Sequence, residues 1–232
     1  MIRRKTKIIF SIILTLATLI SATTLSAESS HGVILSVSSI SNVKIEGQHS
    51  RAPASGNELM KVDNAKIDSI NTLGYSYRYS NAESSRWKLD LGLTYSKAVL
   101  PSQTALLTHS GGTASVVQPK AWLETGEIYL GGIYEIDNFG SPFYIGAGAS
   151  YINGRAIRTS YVAGTPSAYG AYGTSGLEGH KVSVKAGFDY GNFSIEVEQG
   201  QYNLNVKQYR SFNISGAGIK YNNTTLRIIY RF

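Results

Sequence analysis

The 232-residue chain contains no cysteine. That excludes a disulfide scaffold, a thiolate metal centre and an anchor through an acylated N-terminal cysteine. Charge is also scarce: 16% of residues are Asp, Glu, Lys or Arg, where about 25% is usual for a soluble domain. There are only five prolines and seven phenylalanines, against 16 tyrosines and 24 glycines, a β-rich balance rather than a helical one. From residue 28 onward the chain lacks any apolar run of the ~18 residues that mark a spanning helix. If that part enters a membrane, it does not do so as a helix.

Residues 1–27 read as an address rather than as structure. Arg3, Arg4, Lys5 and Lys7 form a basic start, Ile8 to Ile20 is an apolar stretch, and Leu25-Ser26-Ala27 is a small-residue exit. This is the layout of a secretory signal peptide cleaved after Ala27. The apolar stretch is too short for the roughly 20 residues of a spanning helix. Cleavage leaves 205 residues, 28–232, as one domain, and lowers the net charge from +7 to +3. Much of the basic excess therefore leaves with the signal, which argues against a nucleic-acid partner.

What remains alternates. In Arg86 to Ser96, Trp87, Leu89, Leu91, Leu93 and Tyr95 occupy odd positions, and Lys88, Asp90 and Gly92 lie between them. Successive strand side chains point to opposite faces, so one face is apolar and the other polar. The pattern recurs around Leu73 to Tyr79, Ile128 to Ile136, Phe143 to Tyr151, Val182 to Tyr190, Phe193 to Val197 and Leu226 to Phe232. Near the start, Val33, Leu35 and Val37 share one parity, and Val43 and Ile45 continue it. Tight turns are predicted near residues 83, 139 and 191, and long loops near 47–65, 98–119, 154–178 and 203–214. That makes four hairpins, with tight turns at one end and long loops at the other. Ala217, Ile219 and Tyr221 have the opposite parity from Leu226 to Phe232, which predicts a β-bulge or a disordered register near Asn222.

The polar parity carries charge of both signs: Lys88, Asp90, Glu135, Lys185, Asp189, Glu196, Glu198, Arg227 and Arg231. Enclosed together, such residues form a paired network. The apolar parity carries aromatics beside the tight turns, namely Tyr77, Tyr79, Trp87, Tyr134, Phe143, Phe188, Tyr190, Phe193, Tyr230 and Phe232. Tyr95, Trp122 and Tyr151 sit at the other ends of their strands. Two such belts suit the two interfaces of a bilayer. Together with the loop asymmetry, these features predict an all-β, eight-stranded, antiparallel up-and-down transmembrane barrel. At eight strands the interior is filled by side chains rather than open.

The terminal residues Thr224-Thr225-Leu226-Arg227-Ile228-Ile229-Tyr230-Arg231-Phe232 end in an aromatic residue with apolar partners two, four and six positions earlier. This resembles the signal read by the outer-membrane barrel assembly machinery, with Phe232 as its key residue. Taken with the signal segment and strand layout, residues 28–232 resemble the OmpX/Ail/opacity class of small outer-membrane barrels. The resemblance implies a Gram-negative surface protein of the outer membrane, in contact with lipid and lipopolysaccharide. It implies a role in adhesion, resistance or envelope integrity carried by outer loops that reach a host ligand.

Other chemistries are weakly supported. None of the four histidines, His31, His49, His109 and His180, has a second at metal-ligand spacing, so no metal or other cofactor is expected. His109-Ser110 in a loop and His180 beside Glu178 read as solvated groups rather than as parts of a lipid A-modifying site. A narrow solute channel is the other alternative. Tyr161, Tyr169 and Tyr172 in a Gly/Ser-rich run offer adaptable contact area. Lys207, Arg210, Arg155 and Arg158 are expected near the outer rim, within reach of lipopolysaccharide phosphates. A monomeric, non-enzymatic barrel is the expected form.

Overall fold

A computed structural model describes residues 28–50, 57–68, 70–81, 85–101, 103–109, 112–118, 121–136, 143–158, 173–207 and 213–232. The signal segment 1–27, Ser110, Tyr161, Tyr169, Tyr172 and Arg210 lie outside the described residues. The strands are β1 (Glu28–Ser50), β2 (Asn57–Ala65), β3 (Ile70–Ser80), β4 (Trp87–Leu100), β5 (Gln103–His109), β6 (Gly112–Gln118), β7 (Ala121–Ile136), β8 (Phe143–Arg158), β9 (Gly173–Tyr190), β10 (Phe193–Lys207) and β11 (Asn213–Arg231).

Eight of them close on themselves in the order β1-β3-β4-β7-β8-β9-β10-β11, each antiparallel to its neighbours, with β11 pairing back onto β1. At the seam His31 N donates to Phe232 O at 3.2 Å and Phe232 N to His31 O at 2.9 Å. One row of partners runs His31, Tyr77, Leu91, Leu130, Ala149, Val182, Gln201, Asn222 and then Ser41. It returns to β1 ten residues above its start. That stagger tilts the strands by roughly 40° and leaves a lumen of side-chain width.

Closure also explains the long, regular strands. In lipid an unpaired edge leaves N–H and C=O groups unsatisfied at several kcal/mol each, and a ring has no edge. β9 and β10 are joined by the two-residue turn Gly191-Asn192, where Gly191 takes a positive φ of 57°; the turns expected near residues 83 and 139 lie outside the described residues.

Three strands lie where the sequence predicts loops. β2 pairs with the upper part of β1, β5 with β2, and β6 with β5. They fall in the spans 47–65 and 98–119, and His109 ends β5 rather than standing in a loop. Adjacent apolar residues such as Leu59-Met60 and Leu106-Leu107 blur their alternation. Outside a bilayer no strict two-faced pattern is required.

The register irregularity also differs from expectation. β11 pairs with β10 without a break from Gly218 to Tyr230, so no bulge lies at Asn222. It lies in β1, where Asn42 and Val43 together face the single residue Tyr221. Asn42 adopts φ 54°, a left-handed conformation that Asn tolerates better than most residues. The extra residue flips β1. Val33, Leu35 and Val37 point outward, whereas Val43 and Ile45, of the same parity, point inward.

Candidate functional site

The barrel wall has two levels. On the lower one, towards the tight turns, outward side chains are apolar and uncovered: Leu35 is 59% exposed, Leu130 55% and Val184 59%. A soluble protein does not leave a continuous apolar girdle of this kind in water. Trp87, Tyr134, Phe143, Phe188, Tyr190, Phe193, Tyr230 and Phe232 ring its base, with Tyr77 and Tyr79 beside them. Trp87 packs on Tyr134 with centroids 4.9 Å apart, and Phe193 on Tyr230 at 5.2 Å. Tyr95 and Tyr151 mark the top. From Trp87 to Tyr95 the strand climbs about 20 Å, close to the ~25 Å apolar band of membrane barrels.

Trp122 departs from this arrangement. It pairs with Val99 and Ile157, four residues beyond Gly126, the partner of Tyr95. That sets it about 10 Å above the upper aromatics, outside any interfacial belt. Parity assigns a face but carries no height, and β7 runs well past the girdle.

Inside the lower level the charges form a ladder, one pair at the mouth and a connected network above it. Lys88 Nζ meets Glu135 Oε1 at 2.9 Å near the mouth. Arg78 donates to Asp189 Oδ2 at 2.9 Å and to Glu196 Oε1 at 3.4 Å, and its guanidinium lies 4.5 Å from the Tyr144 ring centre. Lys185 pairs with Asp90 and lies 3.5 Å from Glu196, while Tyr144 OH donates to Glu196 at 2.8 Å. Arg227 donates to Glu198 Oε1 at 2.9 Å, and Lys181 reaches the same oxygen at 2.9 Å and also pairs with Glu127. Arg231 Nε donates to Ser194 Oγ at 2.6 Å and lies 4.0 Å from Asp189.

Burial of single charges is prohibitive, and pairing with hydrogen bonds makes it tolerable. Arg78, Lys181 and Glu127 belong to this ladder although the sequence reading omits them. Their signal was present, since each sits on the polar parity of its strand. Tyr129 and Tyr144 fill the remaining width. The Tyr129 ring lies across Gly148, where an added Cβ would come within 2.6 Å of it. Packing leaves a lumen void of only about 10 Å³ beside Asp90, Glu196 and Arg227, at or below the space of a single water.

On the upper level both faces invert. The interior becomes apolar: Val43, Ile45, Ile70, Ala98, Leu100, Leu123, Ile152, Ala156, Leu177, Leu204 and Ile219 form one buried cluster with Tyr202 and Tyr221. Those two rings stack at 4.4 Å and 12°, and Tyr202 OH reaches down to Glu127 Oε2 at 3.3 Å. The parity of Ile219 and Tyr221 therefore reflects an inward-facing core, not a bulge in β11. The exterior becomes polar, with Asn71, Lys97, Asn153, Arg155, His180, Gln201 and Lys220 exposed. Glu124 bridges Lys97 at 3.6 Å and Arg155 at 2.7 Å. The Arg155 hydrogen bond, with both cations nearby, holds its carboxyl below the ordinary range against an opposing desolvation. Arg155 is thus on strand β8, and Lys207 and Arg158 also fall within strands. His180 is exposed on β9, and Glu178 beside it accepts from Tyr151 OH at 2.8 Å.

No family model and no curated protein matches the chain. Among solved structures it is similar to the outer-membrane protease OmpT of Escherichia coli, at 16% identity over 90% of this chain and 99% of that one, TM-score 0.45. It is similar to OprG of Pseudomonas aeruginosa at 15% identity, covering 89% and 96%, TM-score 0.44. It is also similar to Ail of Yersinia pestis, solved with the heparin analogue sucrose octasulfate, at 11% identity, covering 90% and 100%, TM-score 0.43. The chain's own strand pairing defines its fold as a closed eight-stranded antiparallel barrel.

Proposed function

We propose that the protein is a non-enzymatic barrel of the bacterial outer membrane that anchors and presents structure outside the cell. One observation carries this reading: the inner and outer faces exchange polarity at the same height. Below that height the exposed face is apolar and the enclosed face charged, which suits hydrocarbon outside. Above it the exposed face is mostly polar, apart from Val99, Trp122 and Ile157, and the enclosed face apolar, which suits water outside. The extra strands β2, β5 and β6 belong to the upper level and form the presented surface. Residues 1–27 direct export, Phe232 serves the assembly machinery, and the barrel works as a monomer that meets a host ligand through its upper level.

Heat-modifiable gel migration of the protein in a membrane fraction is the expected result. Recovery in the soluble periplasm would overturn the reading. Unchanged lipid A by mass analysis, with and without the gene, is expected of a non-enzymatic barrel. The filled lumen and the apolar cluster above it favour an anchor over a channel, and planar-bilayer recordings are expected to show no discrete conductance.

A further inference from the structure

The polar collar above the girdle is uneven. On β4, β7 and β8 its charges satisfy one another, with Glu124 shared by Lys97 and Arg155. On β10, β11 and β1 they do not. The register places Lys44 directly opposite Lys220, and Lys220 in turn opposite Asn203. Like charges directly opposed across two strands are destabilising. Asp63 of β2 is the register neighbour of Lys44 on its other side. Among the described residues, neither lysine makes a hydrogen bond or an ion pair. The row beneath holds Gln201, Asn222 and Ser41, again directly opposed and uncommitted to one another. The same three strands thus present two amines over a shelf of amides, all facing outward.

Below this shelf, on the same strands, lies a groove of about 440 Å³ lined by Val37, Ser39, Ile67, Val197, Thr224 and Leu226. Its rim is polar at a depth where the other strands still show Leu, Val or Tyr. Thr224 Oγ1 donates to Gln199 Oε1 at 2.7 Å there. Four residues separate Thr224 from Lys220, about 10 Å of height. From below upward the wall offers an apolar groove, a hydroxyl and amide rim, an amide shelf, and two directly opposed cations that make no ion pair among the described residues, with the exposed Glu46 of β1 above them.

We propose that this seam binds one phosphorylated glycolipid of the outer leaflet, with an acyl chain in the groove and a phosphate between Lys44 and Lys220. The anion relieves the opposition of the two amines, and the amides of Gln201, Asn203 and Asn222 take the sugar's hydroxyl and carbonyl groups. A simple phosphodiester lipid would use the lysines and leave those amides without a ligand. The site rests on the outer-membrane reading above and gives it a specific lipid partner.

The test uses the full barrel in phosphatidylcholine nanodiscs, probed with bisphosphorylated lipid A, its dephosphorylated form, phosphatidylglycerol and inorganic phosphate. Native mass spectrometry and the unfolding temperature are the readouts. One bisphosphorylated lipid A retained per barrel, with a raised unfolding temperature, is expected. The double variant K44Q/K220Q should weaken that binding roughly thirtyfold, the combined effect of two basic side chains at an anionic lipid surface. The control K97Q/R155Q should leave it unchanged. Equal binding by K44Q/K220Q would overturn the proposal, and so would an equal loss in K97Q/R155Q, which would mean diffuse charge attraction. Equal retention of phosphatidylglycerol, or equal protection by inorganic phosphate, would likewise overturn it. Heat-modifiable migration of the same variants reports membrane insertion separately. A normal barrel that binds without Lys44 and Lys220 thus refutes the site while leaving the outer-membrane reading intact.

Discussion

The lower and upper levels of this barrel share eight strands yet solve opposite solvation problems. In the lower level Lys185, Glu196 and Arg227 are enclosed and Val184 and Leu130 are bare. In the upper level Leu204 and Ile219 are enclosed and Lys97 and Lys220 are bare. The strand backbone is indifferent to this exchange: on β4 and β10 the period-two geometry runs unbroken through both levels, and only on β1 does the bulge at Asn42 reset it. What changes is the medium outside. The apolar face follows hydrocarbon where hydrocarbon surrounds the wall, and retreats inside where water does.

The contrast is most exposed at its charged centre. Glu196 serves Arg78, Lys185 and Arg227 together. Glu196→Gln keeps its shape and leaves those cations one anion short. We expect a loss of about 4 kcal/mol, in the range for breaking a buried pair, read as a lower unfolding temperature in detergent. An unchanged temperature would mean that the ladder does not hold the lower level together.

Leu204→Ala tests the upper level, where Leu204 is fully buried. A cavity there should cost about 3 kcal/mol, measured by denaturant unfolding. The sharper comparison places one lysine at two heights. Val184→Lys puts it on the girdle and should cost roughly 2–3 kcal/mol. Asn205→Lys puts it on the polar wall and should leave stability near wild type. Equal costs would erase the distinction between the levels.

The smallest effect is at Glu124, on the polar wall. Its carboxyl is held below the ordinary range by Arg155 and Lys97, so its stabilisation is complete above the unfolded-state value and disappears as pH falls through the lower folded one. Glu124→Gln should therefore differ slightly from wild type at neutral pH and not at all in strong acid. Added salt should shrink the neutral-pH difference.

Much of this was readable beforehand because a membrane wall writes its two faces into alternate residues. The sets Trp87 to Tyr95, Val182 to Tyr190 and Leu226 to Phe232 follow that rule without a break. Height is a different matter. Nothing local in the sequence says that β7 passes beyond the girdle before reaching Trp122, or that Ile219 and Tyr221 turn inward because the level has changed. The flip in β1 depends on one residue, Asn42, whose left-handed backbone becomes evident only when Tyr221 is seen facing two residues. The ladder was partly legible. Arg78, Lys181 and Glu127 sit on the enclosed parity, yet their partnership with distant strands follows from the ten-residue stagger rather than from any neighbouring residue. The strands β2, β5 and β6 are not legible in the sequence because in water a strand can do without a greasy side.

The reciprocal peptide bonds between His31 and Phe232 make this sheet a hoop rather than a ladder. A hoop has no half-finished form that oil will accept, since every rung left open strands amides without partners. Entry into the bilayer and the meeting of the two chain ends must therefore be a single step, and a polypeptide halted short of its final strand has nowhere to go but back into water.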